Sequence, residues 1–289
     1  MPADRRSSVQ LRIESLGEHR ESARAGMARD GSHGIDHCTP EQRRLRALLA
    51  LAIFNTHGTD TTYPPAYWGL SRLNAYSITV SPRYDRLVLV SDVPHNVVSY
   101  LLPRQGSYHC LPGLRLKERR GPDTYITCHV PTGAELIVTG EREGRWPRVG
   151  NLRSSTEFQP LSQPLSGRER CWLDEIPEIS EAAELLIAGL VCRVAARFGH
   201  DWALGNWFYD PLNRPKSLME GKRESEERHL WGTGSQWLLE WHRFPFEEDV
   251  ATALAQSPVG VAEAIQVRSA ANTVVFLEGA RLTLRGFRP

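Results

Sequence analysis

An α+β fold, mainly antiparallel sheet with a few packed helices, is what this sequence predicts, and three observations carry it. Short stretches rich in Val, Ile, Leu, Thr and Tyr, separated by Pro and Gly, crowd residues 76–139 and return after 263. Between and before them lie segments with helical spacing and clear start and stop signals. The connections between adjacent strands are short, which favours antiparallel pairing.

Taken in order, Val9–Ser15 alternates Val9, Leu11 and Ile13 against Gln10, Arg12 and Glu14, the pattern of a half-buried strand. Residues 17–38 follow as a polar connection. A helix is expected from Pro40 to about Phe54. Thr39 caps it, Pro40 occupies its first position, Gln42 completes a capping box, and Leu45, Leu48, Leu49, Ala52 and Ile53 are buried. Arg43, Arg44 and Arg46 in its early turns oppose the helix dipole and call for a compensating partner. Tyr76–Val80, Arg86–Asp92, Asn96–Leu102, Leu114–Arg119, Thr124–Val130 and Glu135–Thr139 read as strands, and Asn151–Gly167 as a linker or an extended crossing segment.

A second helix is expected over 181–198, with Ser180 as cap, Glu181 and Glu184 at its positive end, and Leu186, Ile187, Leu190, Val191, Val194 and Phe198 as its apolar face. A third should begin near Ser235, with Trp237, Trp241 and Phe244 on one face, and a fourth covers 247–256. Glu263–Arg268, Thr273–Glu278 and Arg281–Phe287 close the chain as strands. No internal repeat is evident at solenoid or propeller periods.

Composition sets bounds on function. The chain has 289 residues, 40% hydrophobic and 24% charged, near the globular average. No apolar run reaches the length of a membrane span, the first residues lack the apolar core of a signal peptide, and the five cysteines show no CxxC spacing. A cytoplasmic protein without a membrane partner is expected. The net charge is +1, but residues 1–153 hold 21 Lys+Arg against 15 Asp+Glu and the remainder 14 against 19. Two parts are therefore expected: a basic, strand-rich 1–153 and an acidic, Trp-rich 154–289. Only three of the basic residues are lysines. Codon bias in a GC-rich genome accounts for that ratio, but not for the difference in sign between the halves.

No phosphate-binding Gly loop, nucleophile elbow, HExxH or dinucleotide fingerprint is present, and no cofactor or metal is expected. The dipeptides His109-Cys110 and Cys128-His129 sit symmetrically about the turn at 119–122. Neighbours on a strand point to opposite faces, so a regular hairpin puts the histidines on one side and the cysteines on the other, and no tetrahedral zinc site results. Cys110 and Cys128 are expected as neighbours. His37 and His57 are the candidate acid–base residues, beside Asp36 and Asp60 on loops at opposite ends of a helix about 22 Å long. Cys171 followed by His200 has the order of a thiol hydrolase pair without its local signature.

Arginines form the densest constellation. Arg104, Arg115, Lys117, Arg119 and Arg120 fall on or near one hairpin, followed by Arg142, Arg145 and Arg148, with Tyr125 and Trp146 among them. Charge along phosphates and rings under bases is what single-stranded nucleic acid requires. The leading expectation is a nucleic-acid-binding subunit of a larger ribonucleoprotein, favouring single-stranded RNA, with the Trp-rich part contacting other protein subunits. The closing TVVFLEGARLTLRGF, Thr273–Phe287, is similar to the terminal sheet of RAMP-type CRISPR proteins. That resemblance implies ferredoxin-like elements and guide-RNA binding, although the family's Gly-rich loop is missing. A small-molecule or phosphoester hydrolase, metal-assisted or not, and a non-catalytic assembly subunit are the alternatives.

Overall fold

The computed structural model describes residues 7–55, 70, 73, 76, 78–103, 110–142, 158–193, 228–241, 245–269 and 272–286, and the backbone of 196–198 and 201–203. The α+β class holds. The helices are α1 (Ser8–Leu16), α2 (Arg20–Ala25), α3 (Pro40–Ile53), α4 (Pro94–Leu101), α5 (Gly167–Asp174), α6 (Glu181–Arg193) and α7 (Glu247–Ala255). The strands are β1 (Thr79–Pro82), β2 (Arg86–Val90), β3 (Leu114–Arg120), β4 (Thr124–His129), β5 (Glu135–Thr139), β6 (Ala196–Phe198), β7 (Asp201–Ala203), β8 (Arg228–Thr233), β9 (Gln236–Trp241), β10 (Ile265–Arg268), β11 (Thr273–Leu277) and β12 (Ala280–Arg285). Two five-stranded sheets, ordered β1-β2-β5-β4-β3 and β10-β11-β12-β9-β8, carry the molecule, with β6 and β7 as a small hairpin.

These two sheets are the same sheet built twice. In each unit a helix leads into an antiparallel hairpin, a second helix follows, and a three-stranded meander returns so that its last strand lies parallel to the second strand of the hairpin. The first unit runs α3-β1-β2-α4-β3-β4-β5 and the second α6-β8-β9-α7-β10-β11-β12, with β6 and β7 inserted after α6. The parallel pairs are β2 with β5 and β9 with β12, and all other pairs are antiparallel. Register agrees as well: Leu87 opposite Leu136 matches Trp237 opposite Leu282, and Leu89 opposite Val138 matches Leu239 opposite Leu284. This order is not the β-α-β-β-α-β of a ferredoxin-like fold.

The leading helices of the two units pack on each other. Their first turns are joined by Arg43 to Glu181 at 2.6 Å, Arg43 to Glu184 at 3.4 Å and Arg44 to Glu184 at 3.3 Å. These carboxylates are the compensating partners that basic residues at the positive end of α3 require. The helix-facing sides of both sheets join α3, α4, α6 and α7 in one apolar cluster, in which Leu45 to Phe54 are all buried.

Five expectations are corrected. Val9–Ser15 is helical, not a strand: Ser7 Oγ accepts from Gln10 N, Gly17 closes α1 at φ 69°, and the buried positions are Arg12 and Leu16, one helical turn apart. Asn96–Leu102 falls on α4, where Pro94 opens the helix and Val97, Val98 and Leu101 face the core. The segment after Ser235 is β9, and Trp237, Leu239 and Trp241 are buried in strand alternation. Gly232, opposite Trp237, leaves the indole its room, since a Cβ there would lie 2.9 Å from the ring and 2.2 Å from Gln236 O. The capping box at α3 is only half formed. Thr39 Oγ1 accepts from Gln42 N, but the Gln42 side chain donates instead to Asp85 O and Glu135 O, tying α3 to the starts of β2 and β5. Helix α6 ends at Arg193, and 196–198 is strand rather than helix.

Candidate functional site

The arginine hairpin forms as β3 and β4, but its chemistry is largely internal. Arg115 has no exposed surface. Its Nη1 and Nη2 lie 2.7 and 2.8 Å from the Glu169 carboxylate, and it also donates to Gln163 O and Pro164 O. The phosphate contact expected of Arg115 is therefore corrected: its donors are spent inside the fold. Tyr125 is likewise corrected as a base platform, because its ring is buried against Phe158, with its hydroxyl 3.1 Å from His95 Nδ1. At the surface, Lys117 pairs with Glu135, Arg120 with Glu118 at 2.9 Å, and Arg142 with Asp92 at 3.0 Å. Arg119 donates to Pro122 O and lies over the Tyr125 ring. Arg104, Arg145, Trp146, Arg148 and His57 lie outside the described residues.

Glu169 was not singled out from sequence. It accepts from Ser166 N while Ser166 Oγ accepts from Glu169 N, and the Ser166-Gly167-Arg168-Glu169 spacing is a readable capping box. Burial alone would raise its pKa. The bonds from Arg115, Ser166 N and Gly113 N outweigh burial and hold it at about 2.

The loop cluster before α3 is drawn apart. Asp36 is clamped by Arg193, whose Nε also donates to Val259 O. His33 Nδ1 accepts from Ile35 N, and burial followed by the charge of Arg193 holds His33 below its ordinary pKa. Burial pushes the Cys38 thiol up. His37 is exposed and tilts against the Tyr84 ring at 4.9 Å. Two further buried arginines complete the clasp. Arg12 bonds Glu18, Gly26 O, His33 O and Pro82 O, and Arg46 bonds Ile35 O and Arg83 O. Among the described residues, the buried Arg12, Arg46, Arg115 and Arg193 thus act as structural ties to backbone carbonyls.

The cysteine–histidine hairpin has a different register from the symmetric one expected. Cys128 stands opposite Arg115 and His129 opposite Leu114, not opposite Cys110 and His109. His129 Nε2 faces Pro112 O and must donate to it, so Nδ1 accepts from Thr132 Oγ1 at 2.9 Å. Burial holds His129 at a pKa of about 4. Cys171 is exposed on α5, and His200 lies outside the described residues. Among the described residues no group of three His, Cys, Asp or Glu side chains is placed to hold a metal ion, and no helix is long and apolar enough to cross a membrane.

The duplicated fold allows each sheet to serve as a control for the other. Directly opposed residues share a face. On the side away from the helices, one row of the first sheet reads Glu118, Ile126, Ile137, Val88, Ser81. The matching row of the second reads Val267, Val274, Thr283, Leu238, Trp231. Its two ends are apolar where the first row has Glu and Ser, and they are open to solvent, Val267 at 50% and Trp231 at 37%. In the adjoining row Ile265, 60% exposed, stands where the first sheet has the buried Arg115. Beside these rows Arg285 and Glu240 pair across the strands.

No family model, no curated protein and no solved structure matches this chain, so the duplicated sheet and the apolar residues exposed at the ends of its second row are described on their own geometry.

Proposed function

We propose that the protein is a non-catalytic assembly subunit that contacts another protein through the second sheet. The observation that carries this reading is the row Val267 to Trp231, apolar and exposed at both ends where the matching row of the first sheet is polar. Ile265 and Val267, exposed side by side on that face of β10, mark contact surface where an isolated exposed apolar residue would not. It also supports the division of labour in which the Trp-rich part meets protein. Of the tryptophans described in the second sheet, Trp237 and Trp241 belong to the core and Trp231 faces outward.

Single-stranded RNA binding keeps Lys117, Arg119, Arg120 and Arg142 as its basic groups. Each already donates to a carboxylate or carbonyl of this chain, which favours the protein contact. A hydrolase built on His37 is disfavoured because its neighbour Asp36 is engaged by Arg193.

A photo-crosslinking residue placed at position 267, and in a second variant at position 118, tests the proposal in the protein's own cells. One discrete adduct from 267 with none from 118 is expected. The same adducts from both positions, or none from 267, would defeat it.

A further inference from the structure

We infer that the edge of β10, unpaired among the described residues, receives an extended segment of the partner protein by strand addition, as the edge of β3 receives residues 159–161 of this chain. The inference rests on the reading of the second sheet as a contact surface and specifies how the partner binds.

The first unit shows the finished arrangement. On β3, Leu116 N donates to Gln159 O and Leu116 O accepts from Leu161 N, both at 2.9 Å, so the segment adds as a parallel sixth strand. It is locked by Arg115, which reaches Gln163 O, Pro164 O and Glu169. The residue matching Leu116 in the second unit is Gln266, since Leu116 opposes Thr127 on β4 as Gln266 opposes Val275 on β11.

The backbone of Gln266 is turned the same way. Ser269 N donates to Asn272 O, which makes the pair 269–272 a hydrogen-bonded one. Bonded and non-bonded pairs alternate along an antiparallel ladder, so Val267 and Ile265 bond β11, while Gln266 N–H and C=O point outward. Among the described residues β10 ends its sheet. The Gln266 side-chain Oε1 is buried and accepts no hydrogen bond from a described residue.

The two edges are protected differently: β10 is short and ends in Arg268, but it lacks the register shift and the run of charges found on β3. Strand β3 has its shift between Leu116 and Glu118 and carries Lys117, Glu118, Arg119 and Arg120. Strand β10 is regular, without proline, and presents Ile265 and Val267. A regular edge whose backbone N–H and C=O point outward is a template for pairing. At the position of the anchoring Arg115 stands Ile265, so the guest is held by apolar side chains at alternate positions instead of an ion pair. A second copy paired edge to edge along the four residues of β10 covers far less than the roughly 1,200 Å² of a specific interface. A flexible segment needs only the edge.

The test uses the full chain and a phage library of random unstructured nonapeptides, with the most enriched peptide resynthesised and labelled for anisotropy. Enriched sequences should alternate apolar residues. Gln266→Pro should weaken binding by about tenfold, the loss of one outward backbone donor, and should fold because that donor serves no bond to β11. Val267→Lys is the second variant should proline prevent folding, and it should also weaken binding by about tenfold or more. Failure to enrich any peptide overturns strand addition. So does binding that survives both substitutions and is lost in Trp231→Ser, which leaves the face of the sheet as the contact. A parent chain that dimerises in sedimentation velocity and is monomeric as Val267→Lys shows the guest to be a second copy, and overturns the inference equally. Each of these results leaves the position-267 crosslink intact, so the broader reading fails or stands separately.

Discussion

Glu169→Gln should be among the most costly single substitutions in this protein, and its cost should shrink in acid. The carboxylate sits under the segment that covers β3, 4% exposed, against both terminal nitrogens of Arg115. An ordinary glutamate titrates near 4.5, and Glu169 is held at about 2. A carboxyl depressed that far contributes about 3 kcal/mol at neutral pH. The amide keeps the shape but leaves a buried guanidinium without its counter-charge, which by itself costs about 3–5 kcal/mol. Because the folded pKa is the lower one, the contribution is full above the unfolded pKa of 4.5 and disappears as pH falls through 2. At pH 3.5 a substantial part of it, on the order of 1 kcal/mol, should already be gone. Urea unfolding of parent and variant at pH 7 and pH 3.5 measures both quantities. A gap that stays constant between the two pH values, or a variant as stable as the parent at pH 7, refutes the argument.

Arg12→Ala should destabilise by about 3–5 kcal/mol and speed proteolysis within residues 7–38, because it strands the fully buried Glu18 carboxylate. His129, held at about 4, should remain a neutral Nε2–H tautomer at pH 5.5 in nitrogen-detected NMR, and an imidazolium signal there contradicts its burial. Since its folded pKa lies below the ordinary 6.5, its contribution to stability is complete above 6.5 and declines as pH falls toward 4. Trp241→Ala should cost about 3–5 kcal/mol in urea, while Trp231→Ser should change stability by under about 1 kcal/mol, separating core from surface tryptophan. In anisotropy with a short single-stranded RNA, the triple variant Lys117→Ala, Arg119→Ala, Arg120→Ala should match the parent across a salt series. A salt slope flattened by about 0.7 per lost charge would return the nucleic-acid reading to first place.

How much of this was legible depended on whether a signal was local. Thr39, Pro40 and Gln42 marked the start of α3, and Glu181 and Glu184 that of α6, because caps act within one turn. Short apolar windows misled. Val9 to Ile13 alternates by chance on a helix that buries Arg12 and Leu16, and Trp237 and Trp241 satisfy periods of two and of nearly four alike. In α4 the signal was present in Pro94 and the spacing of Val97, Val98 and Leu101, and was outweighed by β-branched content. The duplication left almost no trace, since its units share register and not residues: Trp237 answers Leu87, Arg281 answers Glu135, Ile265 answers Arg115. The fate of the arginines was unreadable for the same reason. Whether a guanidinium meets phosphate or its own chain's carbonyls is decided by contacts far apart in sequence, such as Arg12 with Pro82 O.

The pairing of α3 with α6 bears on how the chain is made. Helix α3 is buried along almost its whole length, partly by a helix that is synthesised after the entire first sheet. At about 5–20 residues per second, Leu45 to Phe54 leave the ribosome on the order of ten seconds before α6 exists to cover them. For that interval the face of α3 that α6 will cover stays open on the nascent chain, the kind of transient apolar surface that chaperones shield. Synthesis of this protein should therefore depend on chaperone supply more steeply than the modest length of its chain suggests.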